Sequence, residues 1–95
     1  MEVTEISKKV SPILREHGVI KASVFGSVSR GDSNPMSDVD ILISLGKPMG
    51  MFAYMGLIHQ MEDSLGRKVD LVTEKSLSKF VRPYVIPDLK VIYEG

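Results

Sequence analysis

Two aspartates, Asp38 and Asp40, stand at alternate positions where the apolar run Val39 to Leu45 begins. In an extended strand alternate side chains share a face, so the two carboxylates point one way while Val39 and Ile41 point the other. Two ionised carboxylates held side by side repel each other, which either raises one pKa or is relieved by a cation. Hard oxygen ligands of this kind favour Mg²⁺. The pattern therefore predicts a magnesium site at the start of this strand.

A Gly-Ser pair, Gly26-Ser27, follows an earlier apolar run, Val19 to Phe25. Glycine lets a backbone approach a phosphate closely, and free N–H groups at a turn into a helix bind anions. Such a pair is usually only a turn and a helix cap, and the downstream aspartates are what favour phosphate binding. Arg30 could add positive charge near the phosphates or form a salt bridge with Asp32 or Asp38. Together these residues indicate nucleotide chemistry.

A third aspartate, Asp70, interrupts the otherwise apolar run Lys68 to Thr73. A buried carboxylate without a partner is costly, so Asp70 must be paired, exposed or bound to a metal. A salt bridge with Arg67 or Lys68 is the simple alternative to a metal site.

Hydrophobic periodicity predicts the elements that position these residues. In chain order they are an amphipathic helix from Val3 to Leu14 stopped by Gly18, a strand Val19–Phe25, a short helix Ser27–Arg30, a strand Val39–Leu45, a helix Met51–Leu65, a strand Lys68–Thr73, a helix begun by Ser76, and an edge strand Lys90–Glu94. The alternation predicts an α/β (α+β) fold in which a small mixed β-sheet is flanked by helices.

Three details of these elements are open to a test by structure. Pro12 should kink the first helix, unless Ser11-Pro12 starts a second one. The stripe of methionines in the helix Met51–Leu65 is interpreted as core filler, with an adaptable partner surface as the alternative. In the last helix the apolar positions are Leu77, Phe80, Val81 and Tyr84, and Pro83 and Pro87 interrupt it.

Composition limits the classes of protein to consider. A chain of 95 residues fits a single domain, 1–95. Lys+Arg and Asp+Glu balance at 12 each, so no strong nucleic-acid binding is expected. The chain has no cysteine, which excludes disulfides and thiolate zinc sites. No long apolar run or signal pattern is present, so we expect a cytoplasmic protein without a membrane partner.

The string Phe25-Gly26-Ser27-x-x-Arg30-Gly31, followed by Ser37-Asp38-x-Asp40, resembles the minimal nucleotidyltransferase (MNT) family. More broadly, the pattern is similar to the nucleotidyltransferase fold shared by DNA polymerase beta and aminoglycoside nucleotidyltransferases. The likeness extends through Gly66 to Val72 and reaches Val91 to Glu94, so it covers nearly the whole chain.

The resemblance implies a single nucleotidyltransferase domain with ATP as substrate. It implies that Asp38, Asp40 and Asp70 hold two Mg²⁺ ions and carry the catalysis, with Asp70 also acting as base on the attacking hydroxyl. Gly26, Ser27 and Arg30 would bind the triphosphate.

The acceptor is not written in the sequence. The resemblance implies a co-encoded, all-helical HEPN-type toxin as partner, which the MNT protein neutralises as antitoxin by transferring AMP from ATP to a tyrosine. The exposed docking surface would include Phe80, Tyr84 and Ile86, since a fold this small leaves apolar surface uncovered. The alternatives are a catalytic subunit that modifies a small-molecule hydroxyl and a non-catalytic antitoxin that only binds its partner. Self-association into a homo-oligomer is left open.

Overall fold

The computed structural model describes residues 2–31 and 37–95. Its helices and strands in chain order are α1 Val3–Glu16, β1 Val19–Phe25, α2 Gly26–Arg30, β2 Val39–Leu45, α3 Met51–Leu65, β3 Val69–Thr73, α4 Arg82–Val85 and β4 Lys90–Glu94. Two 3₁₀ turns, Glu74–Ser76 and Ile86–Asp88, flank α4. The α/β expectation is confirmed, and none of the helices in the described ranges is both long and apolar enough to cross a membrane.

The four strands form one mixed sheet in the order β3-β2-β1-β4. β1 is antiparallel to both of its neighbours, whereas β2 and β3 are parallel. Parallel neighbours need a crossover connection, and α3 supplies it. Because β2 and β3 run the same way, residues near the start of each lie at the same end of the sheet.

One face of the sheet is covered by α1 and α3. Strand side chains of alternating position pack there against helix side chains in a single apolar cluster, whose members include Ile6, Val10, Leu14, Val24, Val39, Ile41, Ile43, Leu57, Met61 and Leu71. Burial of this apolar area is the main source of the fold's stability, and it fixes which strand residues point inward. Asp40 and Asp70, which alternate with these residues, therefore point to the opposite face.

The segment 74–89 joins β3 at one edge of the sheet to β4 at the other, and we call it the strap. Its first turn contacts β2, and its last turn contacts β1 and α2. Leu42 and Val85 are buried but do not belong to the main cluster. The strap therefore crosses the face opposite α1 and α3, which is the face that carries the aspartates.

The predicted helix from Ser76 is wrong. Ser76 closes a capping box with Thr73 at the 3₁₀ turn, and the only α-helix in the strap is the four-residue α4. Proline in a helix removes a hydrogen bond and clashes with the preceding turn, so Pro83 is tolerated only near the start of α4. As a result, Phe80 and Tyr84 do not join the core but face solvent, with 76% and 79% of their surface exposed.

Helices α1 and α3 bear on two further predictions, the effect of Pro12 and the burial of the methionines. α1 is continuous through Pro12, so a second helix starting there is excluded. In α3 the buried positions are Leu57, Met61 and Leu65, spaced four residues apart. Met51 and Met55 are exposed, so the interpretation of the methionine stripe as core filler holds only for Met61.

Strand β4 contains a bulge opposite β1. Tyr93 pairs with Ala22 and Val91 pairs with Ser23, which leaves Ile92 between them without a partner in β1. The Ile92 carbonyl instead accepts a hydrogen bond from the Ser7 hydroxyl of α1 at 2.6 Å. The bulge lets two consecutive residues, Ile92 and Tyr93, both be buried.

Candidate active site

Asp40 lies where three strands meet. It is the second residue of β2, opposite Phe25 at the end of β1 and opposite Asp70, the second residue of β3. The parallel register of β2 and β3 places the two aspartates side by side, although they are thirty residues apart in sequence.

The side chains of Asp40 and Asp70 lie close enough together for the negative charge of Asp70 to act on the Asp40 carboxyl group. The pKa of Asp40 is raised to about 6, first by burial and then by the negative charges of Asp70 and Asp38. The positive charge of Arg30 opposes this shift only in part. This end of the sheet therefore carries more negative charge than its neighbours neutralise.

Asp38 is exposed and directly precedes β2. Its negative charge acts on Asp40. Across residues 2–31 and 37–95, no three carboxylate, imidazole or thiol side chains are grouped closely enough to hold a metal ion. The structure thus places Asp40 and Asp70 side by side, whereas Asp38 is exposed just before β2. The donor set fits a hard divalent cation such as Mg²⁺, because it offers only carboxylate oxygens and because a cation would relieve their mutual repulsion. Metal binding by the three aspartates stays a prediction.

The simple alternative for Asp70 is not realised. Asp70 lies beside Asp40, and neither Arg67 nor Lys68 forms an ion pair with it in the described ranges. Nη1 of Arg67 is instead buried and has no hydrogen-bond partner among the described residues.

Gly26 packs directly on the Asp40 carboxyl group. Its φ is +74°, and a Cβ added there would lie 2.3 Å from Oδ2 of Asp40. Both the left-handed backbone and the lack of space require glycine at this position. The turn therefore holds the chain leaving β1 against the carboxylate pair.

Helix α2 begins at Gly26 with Phe25 as its N-cap, and no side chain caps it. Ser27, which was expected near the N-terminus of a short helix, lies in the first turn of α2. Gly26 and Ser27 are both half-buried, and Gly26 lies against Asp40. Triphosphate binding by Gly26 and Ser27 stays a prediction.

Arg30, the last residue of α2, donates a hydrogen bond from Nη1 to Oδ2 of Asp88 at 2.9 Å. Asp88 belongs to the last turn of the strap, and no spacing in the sequence pointed to this partner. Asp32, one of the two partners expected from the sequence, lies outside the described residues.

Two side chains of α3 hold β3 on either side of Asp70. Oε2 of Glu62 accepts a hydrogen bond from the backbone N–H of Val69 at 2.9 Å, and the Tyr54 hydroxyl donates one to the carbonyl of Leu71. Burial and the charge of Asp70 raise the pKa of Tyr54. No motif or spacing in the sequence pointed to either of these hydrogen bonds.

The opposite end of the sheet differs from the carboxylate end. Two cavities of about 500 and 540 Å³ adjoin each other there. They share the lining residues Ile20, Gly46, Lys47, Pro48 and Met49. None of the predicted site residues lines either cavity.

Comparison with known proteins identifies the family of the chain. The family model described as "Nucleotidyltransferase domain" matches residues 7–92. A relative from Methanocaldococcus jannaschii that is named as a protein adenylyltransferase is 35% identical over 86 residues, which span 90% of this chain and 92% of the relative. The chain therefore belongs to the nucleotidyltransferase domain family, and it is a nucleotidyltransferase of the minimal type.

Solved structures share the fold over nearly the full chain. A minimal nucleotidyltransferase is 28% identical with a TM-score of 0.80, and the match covers 95% of both chains. A toxin–antitoxin structure with AMP-PNP is 25% identical with a TM-score of 0.81, covering 94% of this chain and 73% of that one. The latter protein was thus solved with an ATP analogue.

Proposed function

We propose that the protein transfers AMP from ATP to a hydroxyl of a HEPN-type toxin, most simply a tyrosine, and so acts as its antitoxin. The observation that carries the proposal is the Asp40–Asp70 carboxyl pair held against the Gly26 turn. The M. jannaschii relative named as a protein adenylyltransferase and the toxin–antitoxin neighbour with AMP-PNP support the choice of substrate and partner.

In this mechanism Gly26, Ser27 and Arg30 bind the triphosphate, and Asp70 accepts the proton of the acceptor hydroxyl. The acceptor oxygen forms a bond to the α-phosphorus as the bond to the leaving oxygen breaks, and pyrophosphate departs. Mg²⁺, when held by Asp38, Asp40 and Asp70, supplies positive charge for the attacking and leaving oxygens.

The experiment is incubation of the protein with ATP, Mg²⁺ and the HEPN-type product of the neighbouring gene, followed by intact-mass analysis of both chains. We expect a mass increase of one or more AMP units on the partner, mapped to a tyrosine. Neutralisation of the toxin without ATP would instead favour the non-catalytic antitoxin. Transfer by the lone chain to an aminoglycoside or another small alcohol would favour the small-molecule enzyme.

The strap offers a docking surface for such a partner. Phe80, Tyr84 and Ile86 are all exposed, as expected from the sequence. Exposed apolar side chains grouped on one segment are typical of interaction sites.

Tyr84→Glu should weaken complex formation in pull-down and calorimetry while ATP binding is unchanged. Phe52→Glu is the matched control, because Phe52 is also fully exposed but lies at the start of α3. Equal loss of binding in both variants would reject the strap as the docking surface.

A further inference from the structure

The last turn of the strap is attached to α2 by two separate contacts, and both go to Asp88. The buried Ser29 hydroxyl donates to the backbone carbonyl of Asp88, and the Arg30 guanidinium donates to its carboxylate. Ser29 is only 3% exposed, so its contact belongs to the packing of the strap. The Arg30 contact is half-exposed and joins two charged side chains.

Arg30 lies close enough to Asp40 for its charge to act on that carboxyl group. The guanidinium thus bonds to Asp88 while its charge acts on Asp40, and it is carried by the helix that also carries Gly26 and Ser27. A free arginine side chain samples many rotamers, whereas one held by a carboxylate is directed. The bond to Asp88 can therefore orient the Arg30 side chain.

We propose that Asp88 is a positioning residue that holds Arg30 in the orientation in which it binds the triphosphate of ATP. This inference rests on the proposed function, because it assumes that Arg30 contacts the nucleotide. It adds a residue outside the predicted motif, contributed by the strap. It also implies that the strap contributes to nucleotide binding and not only to packing.

The two contacts of Asp88 can be separated by substitution. Asp88→Ala removes the carboxylate and keeps the carbonyl, whereas Ser29→Ala removes the donor to the carbonyl and leaves Arg30 paired. If Asp88 positions Arg30, Asp88→Ala should lower kcat/KM for ATP on the order of tenfold, as expected when a charge-assisted contact is misdirected. Its KM for the protein acceptor should not change. Ser29→Ala should lower the melting temperature and leave kcat/KM for ATP within about twofold of the parent.

A double-mutant cycle tests whether Asp88 acts through Arg30. In the Arg30→Ala background, Asp88→Ala should cause no further loss of kcat/KM for ATP. In the parent background, Asp88→Glu should retain more of this kcat/KM than Asp88→Ala does. An equal loss in Asp88→Ala and Ser29→Ala, or a loss that persists in the Arg30→Ala background, would overturn the inference.

Calorimetry with AMP-PNP and Mg²⁺ separates this inference from the proposed function. A parent chain that binds AMP-PNP but transfers no AMP contradicts the proposed function alone. Weaker AMP-PNP binding by Asp88→Ala, with Ser29→Ala unchanged, then still supports the positioning role. Unchanged AMP-PNP affinity in Asp88→Ala rejects it, whatever the transfer activity.

Discussion

The two ends of the sheet have opposite characters. At one end, Asp38, Asp40 and Asp70 concentrate negative charge beside the Gly26 turn. At the other, Ile20 and the loop from Gly46 to Met49 line two cavities without any of these residues. A well-formed cavity is the usual first choice for a binding site. Here the perturbed pKa of Asp40 favours the other end of the sheet, which is where the proposed function places the cation and the triphosphate.

The largest difference between the two ends of the sheet should appear when a charged side chain is neutralised at each end. Asp40→Asn keeps the shape of the side chain and removes its charge, so AMP transfer should fall by at least about 100-fold while the protein stays folded. Glu74→Gln is the control at the cavity end and should leave transfer unchanged. The measurements are initial rates of labelled AMP incorporation and circular dichroism of both variants. Comparable losses in the two would show that the cavity end takes part in the reaction.

Glycine substitutions give the next largest effect. Gly26→Ala and Gly18→Ala both introduce a side chain at φ +74°, but only Gly26 has a neighbour within 4 Å of the added Cβ. Both variants should lose on the order of 1 kcal/mol of stability from backbone strain. Gly26→Ala should in addition displace Asp40 and lose AMP-PNP binding. Equal AMP-PNP affinity in the two variants, measured by calorimetry, would show that Gly26 forms a turn but has no role in nucleotide binding.

The raised pKa of Asp40 predicts a dependence of stability on pH. The folded state keeps a proton on Asp40 up to a pKa of about 6, whereas the unfolded state releases it near 3.8. Between these values the folded state binds more protons, so the contribution of Asp40 to stability falls as pH rises.

Asp40→Asn removes this penalty. With metal chelated, the variant should therefore melt higher than the parent at pH 8, and the gain should disappear at pH 3.5. Thermal denaturation at the two pH values checks the difference. A melting difference that does not change with pH would contradict the assignment of the raised pKa to Asp40.

The smallest effect is expected at Tyr54, which lines a cavity and also reaches toward the carboxylate end. Tyr54→Phe removes the hydrogen bond to Leu71 and should cost about 1 kcal/mol of unfolding free energy. AMP-PNP affinity should not change, since the aspartates are untouched. Denaturant unfolding and calorimetry measure the two quantities, and a large loss of affinity would show that the two ends are coupled through α3.

Local patterns in the sequence were sufficient to predict the strands and the two long helices. Strands β1, β2 and β4 begin and end at the predicted residues, and Gly66 ends α3 as predicted. Alternation also predicted that Asp70 would point away from Val69 and Leu71.

Pairings between distant residues could not be predicted in this way. The contact of Asp40 with Asp70 depends on the parallel register of β2 and β3, which α3 sets through tertiary packing. The pairing of Arg30 with Asp88 depends on the path of the strap. The strap itself was predicted as a helix because its apolar residues have helical spacing, although Pro83 and Pro87 prevent a regular helix.

The bulge in β4 limits how the C-terminal strand can vary in length. In a regular strand, a residue and its successor lie on opposite faces, so the burial of both Ile92 and Tyr93 depends on the extra residue. Deletion of a single residue there would restore the regular alternation and turn the side chains on one side of the deletion to the other face. Related sequences should therefore accept substitutions in β4 far more readily than insertions or deletions.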